Sequence, residues 1–417
     1  MKETKDVVCM VIDSGGGYVS VAERLSREFK TVFYCCPSWI DSYPKLNKPM
    51  IGFGIAGIEV VESPWEVFSE IDLWVFPDCY FGFFQNWLVE QGEIVWGSRN
   101  GEEMELQRDV LKEHMKTLGL PVQKYETITG ITALRAYLEK NEDVFVKINK
   151  WRGTIETFYS KNYQLIKPEL DEIAHCLGAF GDLIEFVIEQ PVRDAVEVGF
   201  DGWTVDGAYP AVCLSGVEVK DKAYAGIVKR YDEISPLITG FNAKMADTFK
   251  KYGYRGFFST EIRVDKKKTP YMIDFTARTP CPPGEIYLEL YENYGEIIWR
   301  GANGEMLPPV TSGVCAVELL IESEWSCHNF QPVYFPKKFA PQIKLKKNMI
   351  VDGTNFIIPQ AYGADDCGAV IGMGNTLAAA IASCRAAADS IEGNGVSIRQ
   401  DTLDEAQAEL DKFEAMK

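Results

Sequence analysis

Two carboxylates, Glu261 and Asp274, stand in a stretch whose pattern would bring them together. Residues 257–264 and 271–277 both read as strands. The run Asp265-Lys266-Lys267-Lys268-Thr269-Pro270 is the polar turn between them. With a symmetric turn, Asp265 faces Pro270 and Glu261 faces Asp274. The strand period of two then puts Phe258, Thr260, Ile262, Val264, Tyr271, Ile273, Phe275 and Ala277 on one apolar face. The other face carries Ser259, Glu261, Arg263, Met272, Asp274, Thr276 and Arg278. Carboxylates opposite one another, with Cβ atoms at ~5 Å, repel unless one protonates or a cation bridges them. Oxygen donors without histidine suit Mg²⁺, which combines one or two carboxylates with substrate phosphates. The plainer alternative is a solvated hairpin whose acids are neutralised by Arg263 and Arg278.

Other charged residues sit where chemistry is conceivable. Lys147 lies in the apolar strand of residues 144–148, and a lysine there has to point somewhere. Glu189 ends a second such strand, residues 184–189. A helix is expected from about residue 102 to 118, with Met104, Leu111, Met115 and Leu118 as its apolar stripe and Gly119 and Pro121 as its stop. Arg108, Lys112 and Lys116 are spaced by four and share a basic face, on which Lys112 alone reads as a solvated charge. Ser14-Gly15-Gly16-Gly17 is a glycine turn without the full spacing of a dinucleotide loop. No acid ends the second strand near Cys35, where a ribose-binding residue would sit.

These residues must be held by a mixed architecture. Residues 7–12, 31–35, 72–76 and 94–96 read as strands alternating with helices, which implies a parallel sheet covered on both faces. Ligands of such sheets bind beyond the carboxyl ends of the strands, where Gly15, Gly16, Gly17 and Asp78 would lie. Tyr80 and Phe81 are close to that edge and could stack on a ring. A long α+β region follows to about residue 309. The last hundred residues open with a strand at 314–321 and carry helices at 376–391 and 401–417, where Thr402 and Glu405 are spaced as a capping box.

Composition sets the outer limits. At 417 residues, two or three domains are expected. The 61 acidic against 43 basic residues give a charge of −18, which repels nucleic acid and anionic membranes. No apolar run reaches membrane-spanning length. The 11 cysteines are scattered without a CxxC pair, as expected of a reduced, cytoplasmic protein. With only His114, His175 and His328, a histidine-rich metal site is excluded.

Glu261-Ile262-Arg263 followed by Asp274-Phe275-Thr276-Ala277-Arg278 resembles the paired metal-binding strands of the ATP-grasp ligases. The resemblance implies that Glu261, Asp274 and the weaker donor Thr276 hold Mg²⁺, or Mn²⁺ in its place. It assigns to Arg278 the stabilisation of charge on the transferred phosphoryl group. Lys112 and Lys147 resemble the family's two nucleotide lysines. Glu189, with the backbone after it, would meet adenine, and Glu197 the ribose. Within the class the chain resembles the phosphoribosylamine–glycine ligases, whose N-terminal motifs fall where Ser14–Gly17, Pro77-Asp78 and Trp96-Gly97 fall here. By that likeness Gly15, Gly16 and Asp78 face a substrate, and Asp221-Lys222 lies near phosphate transfer. The implied layout has an N-terminal parallel-sheet domain (1–100), an ATP-grasp domain (101–310) with a mobile lid lobe at about 122–190, and a small C-terminal α+β domain (311–417).

The sequence departs from that pattern in three places. The glycine-rich lid is reduced to Lys150-Trp151-Arg152-Gly153-Thr154, where Lys150 and Arg152 supply charge instead of bare backbone. Arg108 stands for a lysine. An Arg-Glu-His after the glycine turn is replaced by Gly17-Tyr18-Val19. The expectation is therefore an ADP-forming carboxylate–amine ligase that works through an acyl phosphate, on an amino acid such as glycine and an altered amine acceptor. Its ligands are ATP, the metal and small molecules, and a homodimer is compatible with the class. The alternatives are an ATP-grasp protein that binds nucleotide without turnover, and a nicotinamide-dependent enzyme.

Overall fold

The computed structural model describes residues 1–37, 47–149, 157–359 and 366–415. The chain folds into two compact units. The first comprises Met1–Glu102, Val198–Thr260 and Thr276–Lys417, and the second Glu103–Glu197 with Glu261–Phe275.

In the first unit, β1 (Val8–Ile12), β2 (Thr31–Cys35), β3 (Glu59–Val60), β4 (Leu73–Val75) and β5 (Val95–Trp96) form a parallel sheet of order β3-β2-β1-β4-β5. The expected strands are present, joined by the two-residue β3. Alternate residues of β1 enter different cores. Cys9 and Val11 pack with Val19, Ala22 and Leu25, whereas Met10 and Ile12 pack with Phe33, Trp74 and Phe76. Both faces are covered, so the strand reads as a continuous apolar run.

The second unit contains an antiparallel sheet of β6 (Tyr125–Thr129), β7 (Val144–Ile148), β8 (Thr157–Ser160) and β9 (Glu185–Glu189), in the order β6-β9-β7-β8. Helices Ile131–Leu138 and Tyr163–Leu177 cover it through Leu134, Leu138, Leu170 and Ile173, which meet Val146, Ile148, Phe186 and Ile188.

The remaining strands are β10 (Val196–Val205), β11 (Val212–Val219), β12 (Ala223–Arg230), β13 (Arg255–Val264), β14 (Pro270–Thr276), β15 (Cys315–Glu322), β16 (Gln331–Val333), β17 (Ile343–Leu345), β18 (Asn348–Val351), β19 (Thr354–Ile357) and β20 (Asp366–Gly374). In the first unit, β10, β11, β12, β15, β20 and β17 pair antiparallel in that order, and β16, β19 and β18 form a small sheet. Phe257 stacks on Tyr287 and Tyr294, with ring centroids at 5.1 and 5.6 Å. Arg24 is buried on helix Val19–Leu25 and donates to the carbonyls of Leu288, Tyr291 and Glu292. These bonds satisfy a charge that apolar packing alone would leave stranded.

Three local expectations change. The turn between β13 and β14 is asymmetric: Asp265 N–H donates to Thr269 O at 3.1 Å, and Lys268 is left-handed at φ 61°. The closing pair is therefore Asp265–Thr269, not Asp265–Pro270. Met272 is buried and Ile273 half-buried, so a spacing of three separates the buried Met272 and Phe275 and breaks the period of two. The final helix is Thr402–Ala415. Thr402 Oγ1 donates back to Arg399 O at 2.6 Å instead of capping the helix.

Candidate functional site

In the second unit, four separate elements bring charged groups together. Lys112 lies on helix Arg108–Thr117 and is 1% exposed. Its Nζ is 3.0 Å from Glu189 Oε1, and it donates to Gln123 Oε1 at 2.9 Å and to Met272 O at 3.3 Å. Gln123 Nε2 donates in turn to Glu189 Oε2 at 3.2 Å.

The sheet register supplies the second lysine. Lys147 of β7 lies opposite Val187 of β9, so Glu189, two residues on, shares its face. Lys147 Nζ is 3.8 Å from Glu189 Oε2 and donates to Ile273 O of β14. One buried carboxylate thus sits between two buried ammonium groups. Burial pushes the Lys112 pKa down, and the Lys147 charge adds to this, while Glu189 and Asp274 oppose it. Asp274 therefore lies within the electrostatic reach of Lys112.

The basic helix face is not the solvated one that the spacing suggests. Arg108 and Lys112 are buried, and Lys116 remains outside, paired with Glu113 at 2.7 Å. Arg108 Nη1 donates to Ile148 O at 2.8 Å, and its backbone N–H donates to Asn149 Oδ1 at 2.9 Å. Glu197, at the start of β10, lies 3.9 Å from Arg263 Nε. Glu261 and Asp274 are both half-buried, next to the buried Ile262 and Phe275.

The first unit assembles another group of these residues around the glycine turn. Asp13 directly follows β1 and is fully buried. Its carboxylate accepts the N–H groups of Gly15, Gly16 and Tyr18 at 3.1, 2.9 and 2.7 Å, and the Tyr34 hydroxyl at 2.8 Å. Burial and then the Asp78 charge push the Asp13 pKa up, against the pull of those hydrogen bonds. Ser14 Oγ donates to Asp78 Oδ2, and Lys48 Nζ donates to Ser14 O at 2.8 Å. Arg278 Nε is 3.8 Å from Asp78 Oδ1, and Arg278 Nη1 donates to the Tyr18 hydroxyl at 2.8 Å. Tyr18 passes its own O–H to Thr279 O at 2.9 Å.

Gly15, Gly16, Asp78 and Arg278 thus share one neighbourhood. Asp221 and Lys222 lie at the turn joining β11 and β12. Asp221 is left-handed at φ 54°, and Lys222 pairs with Glu322 at 2.5 Å. Arg152 and Lys150 fall outside the described residues. Thr276 is half-buried at the end of β14. Phe81 is 3% exposed and packs on Phe76 at 5.8 Å, so it belongs to the core, whereas Tyr80 is 42% exposed. Sequence reasoning missed Asp13, Gln123 and Lys48. Asp13 had a signal, an acid directly between a strand and a glycine turn; the other two had none.

Among the described residues, no helix is long and apolar enough to cross a membrane. All eleven cysteines are free thiols.

No protein-family model matches the sequence, and no curated protein matches it. Solved structures do. Phosphoribosylamine–glycine ligase from Thermotoga maritima aligns with a TM-score of 0.68 at 17% identity, over 95% of this chain and 100% of that one. The biotin carboxylase domain of Hydrogenobacter thermophilus 2-oxoglutarate carboxylase, solved with MgADP, ADP and bicarbonate, aligns at 0.65 and 13%, over 97% and 93%. N5-carboxyaminoimidazole ribonucleotide synthetase from Thermus thermophilus aligns at 0.59 and 12%, over 92% and 98%. The chain has the fold that these ATP-grasp enzymes share.

Proposed function

We propose that the protein is an ATP-dependent, ADP-forming ligase that joins a small carboxylate to an amine through an acyl phosphate. The observation that carries this reading is the cluster of Lys112, Lys147, Glu189 and Asp274, drawn from four elements of one unit on an ATP-grasp fold. Two buried lysines on one carboxylate form a positive site that a polyphosphate can enter by replacing Glu189 as their partner.

Lys112 and Lys147 bind the nucleotide phosphates, and Glu189 and Glu197 orient adenine and ribose. Arg152 adds charge from the lid segment. The half-buried carboxylates Glu261 and Asp274, with the Thr276 hydroxyl, fit Mg²⁺ or Mn²⁺, since all three are hard oxygen donors. Such an ion, when bound, screens the charge of the β- and γ-phosphates. The substrate carboxylate attacks the γ-phosphorus, and ADP leaves. Arg278, with Lys222 as the second catalytic cation, balances the charge that builds on the phosphoryl oxygens. The amine then attacks the acyl phosphate and releases phosphate. Closure of residues 122–190 as a lid keeps water from the intermediate.

Gly15, Gly16, Asp78 and Asp221 are assigned to the substrates. Here the Asp13 carboxylate supports an altered acceptor. It takes the N–H groups of Gly15, Gly16 and Tyr18, which a phosphate at this turn would otherwise take. The same bonds argue against a nicotinamide dinucleotide. We assign an amino acid such as glycine as the carboxylate. The acceptor is an amine carrying a planar or sugar-ring element, other than plain phosphoribosylamine. The enzyme works in the cytoplasm on small molecules, and a homodimer is the assembly to test first.

The test is ADP release with Mg²⁺ and ATP, over amino acids with candidate amines added in turn. Turnover requiring both an amino acid and an amine supports the reading. Tight ATP binding without ADP release under any pair would favour a nucleotide-binding protein without turnover. Efficient conversion of glycine and fresh phosphoribosylamine, with kcat/KM of ~10⁴ M⁻¹s⁻¹ or above, would overturn the altered acceptor.

A further inference from the structure

The first unit holds another polar cluster, whose residues have no part in the chemistry above. Cys281 precedes helix Gly284–Leu290, Glu285 lies on that helix and Glu318 lies in β15. Their sulfur and carboxylate oxygens come within 4.8 Å of one another. Glu285 is 4% exposed and Glu318 fully buried. Among the described residues, no other group donates a hydrogen bond to either carboxylate oxygen of Glu318 or to Oε2 of Glu285, and the two carboxyls can bond one another only by sharing a proton. Buried acceptors almost always have a donor, so three such oxygens converging on one point require an explanation.

The local charge balance sharpens it. Lys346 Nζ lies 2.6 Å from Cys281 Sγ, 3.5 Å from Glu285 Oε1 and 2.6 Å from Asp366 Oδ2. Its single charge is shared between Asp366, the nearer carboxylate, and Glu285, so the three acids Asp366, Glu285 and Glu318 exceed it by two in a largely buried site. A proton shared between Glu285 and Glu318 would cancel one of those two charges and leave most of the lone pairs empty. A divalent cation would cancel both and use those lone pairs.

We propose that Cys281, Glu285 and Glu318 form a binding site for one thiolate-preferring divalent cation of the Zn²⁺ kind. A thiolate with two carboxylates suits Zn²⁺, whereas Mg²⁺ avoids sulfur, so the site differs in kind from the oxygen-only hairpin acids. Tetrahedral zinc with Zn–S of ~2.3 Å and Zn–O of ~2.0 Å holds its donors ~3.5 Å apart, so modest side-chain movement closes the present spacing. Cys281 is partly exposed and gives the ion a way in. Lys346 keeps Asp366 as its partner when the sulfur turns to the metal.

The experiment uses the full chain, stripped by chelator and titrated with Zn²⁺ by calorimetry and with Co²⁺ by absorption. Co²⁺ should give a near-ultraviolet thiolate charge-transfer band that saturates at one equivalent, whatever the oxygen-only hairpin acids bind, since an all-oxygen site cannot produce that band. Cys281→Ala should abolish that band. Glu318→Gln, which keeps the shape of the side chain, should weaken Zn²⁺ binding by about tenfold or more. Asp194→Asn, in an exposed ion pair with Lys266, should leave both signals in place. Absence of the band in the unaltered chain, or its persistence in Cys281→Ala, would overturn the proposal. If Cys281→Ala does not fold, unchanged Zn²⁺ affinity in a folded Glu318→Gln protein would overturn it equally.

Discussion

The guanidinium of Arg278 donates to the hydroxyl of Tyr18 at 2.8 Å, across 260 residues of sequence. Tyr18 holds that position because its own proton goes to Thr279 O and its backbone N–H to Asp13. Tyr18→Phe removes the acceptor and keeps the ring. A hydrogen bond to a charged group contributes ~1.5–3 kcal/mol. In the ligase reading, kcat should fall about tenfold or more with KM for ATP little changed. An unchanged kcat in a folded Tyr18→Phe protein would show that Tyr18 does not position Arg278.

Lys112 and Lys266 make opposite predictions. Lys112 is buried on Glu189, whereas Lys266 pairs with Asp194 at the surface, both side chains being more than two-thirds exposed. Exposed pairs contribute little, ~0–1 kcal/mol. Lys112→Met should weaken ATP binding at least about tenfold, and Lys266→Ala should leave it unaltered. Fluorescent-nucleotide titration of both variants reads this directly, and equal affinities would remove Lys112 from the nucleotide site.

Gly16 should not tolerate a side chain. It has φ 78°, and a Cβ placed on it would lie 2.3 Å from Ile51 Cδ1. Gly16→Ala combines left-handed strain with overpacking and should cost ~1–3 kcal/mol. A urea midpoint equal to that of the unaltered chain would contradict this.

Glu102 gives a pH dependence. It is mostly buried and accepts the Phe81 N–H at 3.1 Å; burial pushes its pKa up from 4.5 to about 7. Between those values the folded chain binds more protons than the unfolded one, so stability falls as pH rises through the window. Glu102→Gln should flatten that part of the profile. Denaturant unfolding at several pH values should give a difference between the two proteins that grows from pH 5 to pH 7.

Legibility from the sequence followed the range of the interactions. The parallel sheet was readable because each strand is a short apolar run beside a glycine or helix signal. Lys147 was readable as a charge on an apolar strand. Lys112 was harder: its spacing with Arg108 and Lys116 fits an exposed face, and what buries it is Glu189, far along the chain. The hairpin failed in detail because a left-handed Lys268 shifts the closing pair, and no residue type there announces it. Asp13 carried a local signal, but its role depends on three amides that fold back onto it.

Arg24 has a consequence for how the chain is made. Its guanidinium is satisfied by carbonyls of residues 288–292, and the Trp299 indole donates to Lys2 O at 3.0 Å. During synthesis residues 1–100 lack these partners until residues 288–299 have been made. The four-stranded sheet of residues 125–189 meets no such delay, since its strands and covering helices are contiguous. The nascent chain therefore carries a paired four-stranded sheet that still awaits residues 261–275 of its own unit, while residues 1–102 wait longer for their partners and are the part more exposed to aggregation.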